Sequence, residues 1–240
     1  MNAGNINLRL IAIRRLAAEA ADNGMLDPVV VSGILRIKGM SAEGKRLGNW
    51  LTKVQAQELL NTVDISTLRG KRDKAILAVL LGCGLRREEA AGLTFEHIQQ
   101  RDNRWVIVDL VGKRNSVHSI PMPDWCKEII DQWADAAKIK SGCVFRRIRR
   151  GDHIASKTMA LQAIYIAVAE YSQKLGITNL APHDCRRTFA KLAHKGGSPI
   201  EQIQYSLGHA SIRTTEIYLG IEQNLEDAPC DHLGLAVTRI

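Results

Sequence analysis

Three short strings in this sequence bring together side chains that could act on a single phosphate group. They are Gly84-Leu85-Arg86-Arg87-Glu88-Glu89, Pro182-His183-Asp184-Cys185-Arg186-Arg187, and the run from Leu207-Gly208-His209 to Tyr218. Arg86 and Arg186 offer planar guanidinium forks that stay charged and can each grip two oxygens of a phosphate. His183 and His209 can move protons near neutral pH. Tyr218 offers a phenol oxygen able to attack phosphorus and hold it covalently. Such a set, converging on one phosphodiester, can cut DNA through a phosphotyrosine and needs no metal ion.

Each residue taken singly has a plainer reading. Arg86 could be a surface arginine in a charged helix start, and Tyr218 an amphipathic core tyrosine. A lysine in a turn, such as Lys113, is ordinarily just solvated. His183 and Arg186, however, are three apart just after Pro182. That spacing puts both on one side of a helix whose N-terminus favours an anion. Tyr165, Tyr171 and Tyr205 sit in periodic helical patterns without comparable neighbours. Glu89, one turn after Arg86, is a candidate structural partner for it.

In order along the chain, G-L-R-x-x-E, the Gly112-Lys113 turn, H-x-x-R, and L-G-H with a Tyr nine residues after the His resemble the tyrosine recombinase (phage integrase) family. The resemblance covers about Leu51 to about Gly220. It implies that Arg86 and Arg186 clamp the scissile phosphate and that His183 exchanges the proton of Tyr218. It also implies that His209 hydrogen-bonds the phosphate, and that Lys113, at a hairpin tip in the minor groove, protonates the leaving 5′ oxygen. Crowding by Arg86 and Arg186 would bring the lysine pKa closer to ambient pH. The chain departs from the common pattern at Cys185 and Arg187, where the family usually has Leu and His. Neither change removes a required group: Cys185 is expected to pack inward, and Arg187 joins Arg114 and Arg213 as a candidate DNA contact.

Composition fits an anionic partner. The 240 residues carry 33 Lys and Arg against 25 Asp and Glu, a net charge of +8, and 45% apolar side chains, enough for a sizeable core. The five cysteines, Cys83, Cys126, Cys143, Cys185 and Cys230, are scattered and form no C-x-x-C pair. That argues against a disulfide framework and a zinc site. The longest apolar run, Ala75 to Leu81, is too short to cross a bilayer. No signal architecture opens the sequence, so a cytoplasmic location is expected. No P-loop and no paired-carboxylate metal site is visible, so neither nucleotide nor metal cofactor is expected.

The elements that must position these groups are mostly helical. Ile6, Leu10, Ile13, Ala17 and Ala20 recur at helical spacing, Asn23-Gly24 ends that helix, and Pro28 opens a second with Val31, Ile34 and Leu35. Gly39 to Gly48 has linker composition. Thr52 with Gln55 forms a capping-box pattern before a helix over 53–62. A second helix over 69–82 is too uniformly apolar at its end for a surface helix, and Gly84 suits the position after its cap. Two β-rich runs, Arg104 to Val108 and Ser116 to Ile120, flank Gly112–Asn115 as a hairpin. Asp124 should cap a helix to about Lys138 with Trp125, Ile129 and Trp133 inward. A helix over 157–175 should carry Leu161, Ile164, Val168, Tyr171 and Leu175 on one face. Shorter helices are predicted near 183–195, 199–207 and 211–219. The expected fold is mainly α with one small antiparallel sheet, like the catalytic domain of tyrosine recombinases.

The expected organisation has three parts. Residues 1–50 resemble the last helices of an N-terminal DNA-clamping domain plus a linker. Residues 51–220 form the catalytic domain. Residues 221–240, with Leu225, Leu233, Leu235 and Val237, form a partner-docking tail. The resemblance implies a site-specific recombinase acting on double-stranded DNA, assembling as a homotetramer there and mainly monomeric when free, with no membrane association. A type IB topoisomerase-like activity and a DNA-binding relic without catalysis remain as alternatives.

Overall fold

A computed structural model describes residues 3–40, 49–111 and 117–220. The chain divides into two compact units, residues 1–47 and 48–240.

The first unit is a helix pair, α1 (Ala3–Asp22) and α2 (Pro28–Arg36). Asp27 caps α2 by accepting from the Val29 amide, and Pro28 fills the first helical position, where a missing N–H costs nothing. Ala17 and Val31 are buried in the seam, but Ile13 is 53% exposed, contrary to the expected face. Its neighbour Arg14 turns inward instead, donating to the Ile37 carbonyl. Asn7 closes the unit by exchanging two hydrogen bonds with the Met40 backbone, at 2.9 and 2.8 Å.

The second unit is built around one central helix. Thr52 and Gln55 form the expected capping box on α3 (Lys53–Asn61), with bonds of 3.0 and 3.2 Å. The central helix, α4 (Leu68–Gly82), is buried all round from Ala75 to Leu80. Each of its larger aliphatic side chains contributes about 1.5–3 kcal/mol by leaving water. Its N-terminus is capped by Thr67, which accepts from the Gly70 amide at 3.0 Å. Asp152, from far along the chain, also accepts there, from the amides of Leu68 and Arg69 at 2.6 and 2.9 Å. At its C-terminus Gly84 adopts φ +63°, and the short α5 (Arg87–Gly92) follows at once.

The three-stranded antiparallel sheet has the order β1 (Ile98–Arg101), β2 (Arg104–Val111), β3 (Val117–Met122). Strand β1 was not anticipated: it pairs with β2 through a tight turn in which Asp102 and Asn103 both have positive φ. The expected hairpin is present and longer than its apolar runs suggested. An irregularity at Val108 and Asp109 shifts the β2–β3 register, so that Leu110 faces His118. Its tip, including Lys113 and Arg114, lies outside the described residues.

Helix α6 (Asp124–Ala137) packs on α4. Pro123, not Asp124, occupies its N-cap, and Trp133 is buried as expected, with its indole N–H donating to the Val144 carbonyl at 2.8 Å. Trp125 is 40% exposed: it lies over Gly82, where a side chain would meet its ring, rather than inside. A second ribbon, β4 (Ile148–Arg149) and β5 (His153–Ile154), occupies a stretch with no strand expected. Helix α7 (Leu161–Lys174) starts later than predicted, with Ile164, Val168 and Tyr171 buried but Leu161 at the surface. Three further helices complete the described fold: α8 (Pro182–Lys195), α9 (Ile200–Leu207) and α10 (Ile212–Leu219). Ala190, Ile203, Leu207, Tyr218 and Leu219 form a small core of their own where these helices meet. Among the described residues, no helix is long and apolar enough to cross a membrane.

Candidate active site

Arg86 is placed by the turn that ends α4. Gly84, in a conformation side chains disfavour, reverses the chain against Phe189 so closely that an added Cβ would lie 2.6 Å from that ring. Arg86 then sits at the N-cap of α5, and Glu89 folds back on it. The Glu89 carboxylate accepts from the Arg86 amide at 2.7 Å and from its guanidinium.

Arg186 enters from α8 and is 1% exposed. It donates to the Gly84 carbonyl at 2.7 Å and lies 3.5 Å from Glu89. Both arginines also donate to one acceptor, the Leu207 carbonyl at the end of α9, Arg86 at 3.0 Å. Two guanidiniums from elements a hundred residues apart therefore meet at one oxygen. Burial, followed by the nearby Arg86 charge, lowers the Arg186 pKa to about 10, which leaves it charged at neutral pH.

The aromatic groups lie beside this pair. Tyr218, on the last turn of α10, is 9% exposed, with its hydroxyl donating to the His183 carbonyl at 3.3 Å. The rings of His183 and His209 meet it edge-on from two sides, with centroids 5.4 and 5.5 Å away. The Arg187 guanidinium lies 4.9 Å over the same ring. Burial raises the Tyr218 pKa to about 12, although Arg186, Arg187 and Arg86 all oppose it.

His209 follows Gly208, which ends α9 at φ +54°. Its Nδ1 lies 3.0 Å from the Thr215 hydroxyl, which fixes the ring. Burial, then Arg186 and Arg86, depress its pKa to about 4. His183 stays exposed on one side. Desolvation of its covered side, then Arg187 and Arg186, bring its pKa below the usual 6.5. Both imidazoles are thus neutral at pH 7, one able to accept a proton and the other to hydrogen-bond.

Arg86, Glu89, His183, Arg186, Arg187, His209 and Tyr218 accordingly form one cluster. Arg213 is exposed on the first turn of α10. Cys185 is fully buried, as expected. One residue not anticipated borders the cluster: His118 on β3, whose Nε2 is 3.9 Å from Glu89. The signal for it was present in Val117-His118-Ser119-Ile120-Pro121-Met122, where alternation puts His118 in the inward row with Ile120 and Met122.

Comparisons with known proteins identify the family of the chain and its fold. The phage integrase family model matches residues 49–224. A tyrosine recombinase XerD of Neisseria meningitidis is 30% identical over 178 residues, covering 72% of this chain and 59% of that protein. A tyrosine recombinase XerC of Corynebacterium efficiens is 29% identical over 216 residues, covering 88% and 65%. The chain therefore spans less than two thirds of the length of these relatives. Among solved structures, the Tn1549 transposon integrase in complex with circular intermediate DNA matches with a TM-score of 0.65 and 18% identity, over 94% of this chain and 77% of that one. The XerA recombinase matches with a TM-score of 0.59 and 19% identity, over 89% and 78%. These likenesses establish the fold.

Proposed function

Because the chain belongs to the phage integrase family, we propose that it is a site-specific DNA recombinase that breaks and rejoins double-stranded DNA through a covalent 3′-phosphotyrosine. The observation that carries this reading is the cluster itself: two arginines on one oxygen beside a tyrosine bracketed by two histidines. In the reaction the Leu207 carbonyl gives way to a phosphate oxygen, and Arg86 and Arg186 neutralise the charge that develops on phosphorus.

The Tyr218 oxygen attacks, forming the bond to phosphorus, and its proton passes to neutral His183. A phenol held near 12 needs such a base, because its anion is scarce at pH 7. His209 donates to a non-bridging oxygen, and Glu89 holds the arginines in place. The bond to the 5′ oxygen breaks, and Lys113 supplies the proton that this leaving group takes up. A 5′ hydroxyl can then attack the phosphotyrosine in reverse, so one ester replaces another and no nucleotide is consumed. The half-buried Arg187 and the exposed Arg213 contact the duplex backbone, with Arg114 beside Lys113 at the hairpin tip. Residues 51–220 form the catalytic domain, 1–50 the end of a clamp, and 221–240 a docking tail that joins protomers into a tetramer on DNA.

A nicked suicide duplex tests this directly. Wild-type protein should form a slow-migrating covalent adduct on a denaturing gel, and Tyr218→Phe should form none while still binding duplex. An adduct of normal yield from the Phe variant would move the nucleophile elsewhere.

A further inference from the structure

His118 is an odd residue for its place. It stands in the inward row of β3 with Ile120 and Met122, both essentially buried, and its own side chain is 8% exposed. A polar ring there loses hydration, a loss offset only by a charged or hydrogen-bonding neighbour. On one side that neighbour is Glu89, 3.9 Å from Nε2, itself almost fully buried between Arg86 and Arg186. On the other side the ring lies against Gly208, where an added Cβ would meet its Cε1 and Nδ1 at 3.0 Å. Gly208 joins the carbonyl that receives both arginines to His209. One imidazole thus touches the carboxylate that aligns the guanidiniums and the turn that presents His209.

We propose that His118 is a positioning residue for strand cleavage, holding Glu89 on the two arginines from β3 and spacing the Leu207–His209 turn against them. This rests on the assignment of Arg86, Glu89, Arg186 and Tyr218 to the cleavage reaction. Its mode of action is specific. Nε2 lies 3.9 Å from Oε1 of Glu89, and on this proposal it carries the proton that steadies the carboxylate, so a side chain of equal bulk without a donor lets the carboxylate turn. A shift of about 1 Å in such a group costs on the order of a hundredfold in rate.

Two variants separate donation from bulk: His118→Gln keeps an N–H donor, and His118→Leu keeps the volume alone. Single-turnover adduct formation on the nicked duplex is measured with the duplex Kd and the melting temperature of each protein. Wild-type protein must first give the Tyr218-dependent adduct; its absence defeats the cleavage reading and leaves His118 aside. With that adduct in hand, His118→Leu should cleave about a hundredfold more slowly at unchanged Kd and melting temperature, while His118→Gln stays within about threefold of wild type. Glu89→Gln should slow cleavage, and His118→Leu should add little on top of it, because both act through one carboxylate. Wild-type rates for His118→Leu would overturn the proposal. So would equal losses in the two variants, or a loss that simply tracks Kd or melting temperature.

Discussion

Arg86 and Arg186 differ in burial, and that difference governs what their removal does. Arg186 is 1% exposed and ties Gly84, Glu89 and Leu207 together, so Arg186→Ala leaves a buried carboxylate and two carbonyls short of donors. The Arg86 side chain is partly open and already faces the site. Both alanine variants should slow adduct formation by about a hundred- to a thousandfold. Arg186→Ala alone should also lower the melting temperature, which calorimetry would show; equal melting of both would contradict the burial argument. The histidines set a pH signature. His209 is held at about 4 in the fold against about 6.5 when unfolded, so the unfolded chain takes up its proton first. The stability this neutral ring contributes is complete above pH 6.5 and declines as pH falls towards 4. Thermal denaturation of His209→Gln should therefore lose less stability than wild type across that window. His183, lowered in the same direction, should keep the acid limb of cleavage below pH 6.5. A limb centred above 6.5 would remove it as the base. These groups were legible in the sequence because their spacing is local: a glycine turn before Arg86, and one helical turn from His183 to Arg186. For His118 strand alternation gave only an inward direction, because its neighbour Glu89 is brought to it by tertiary packing.

Helices and strands carry these residues only as well as their ends are fixed. Asp152, in the β4–β5 turn, caps α4 beside Thr67. Asp152→Ala should cost about 1–2 kcal/mol, or roughly 3 °C of melting temperature per kcal/mol in a unit of this size. No change would mean that Thr67 alone suffices. At the other end of α4, Gly84→Ala would push a methyl into Phe189 while straining a positive φ. It should both destabilise the unit and slow cleavage, by shifting the Gly84 carbonyl away from Arg186. The long apolar or capped elements, α3, α4 and the β2–β3 hairpin, were legible because periodicity and caps persist over several turns. The ribbon β4–β5 was not, since two-residue strands have no period to read. A stretch there with three of its four residues from Arg147 to Arg150 arginine looks like solvated loop, and it is structured by its cap on α4 and by Ile148 and Ile154 packing on the core. Trp125 and Ile13 show the complementary error: an apolar residue at helical spacing was assigned inward although the neighbouring element left its face uncovered.

Over the whole molecule, the two units differ in what they can do alone. The large core belongs to the second unit, which also holds every described member of the cluster. On the proposed function, the first unit supplies only part of a clamp, so duplex binding by this 240-residue chain should be weak and steeply salt-dependent. Each lost phosphate contact lowers the slope of log K against log salt by roughly 0.9; Arg187→Ala and Arg213→Ala should each do so by about that amount. Light scattering should find mainly monomer without DNA. Nanomolar binding by a stable tetramer at physiological salt would refute both expectations. The long bonds that assemble the site also impose an order in time. Leu51 waits for Thr188, 137 residues on, Arg86 for Leu207, 121 residues on, and Gly84 for Arg186, 102 residues on. Contacts of such separation form late and slowly compared with helix or hairpin closure. On the proposed function, a nascent chain therefore holds its first arginine long before it owns an attacking oxygen, and would become capable of wounding a chromosome only after residues up to Gly220 have left the ribosome and folded back.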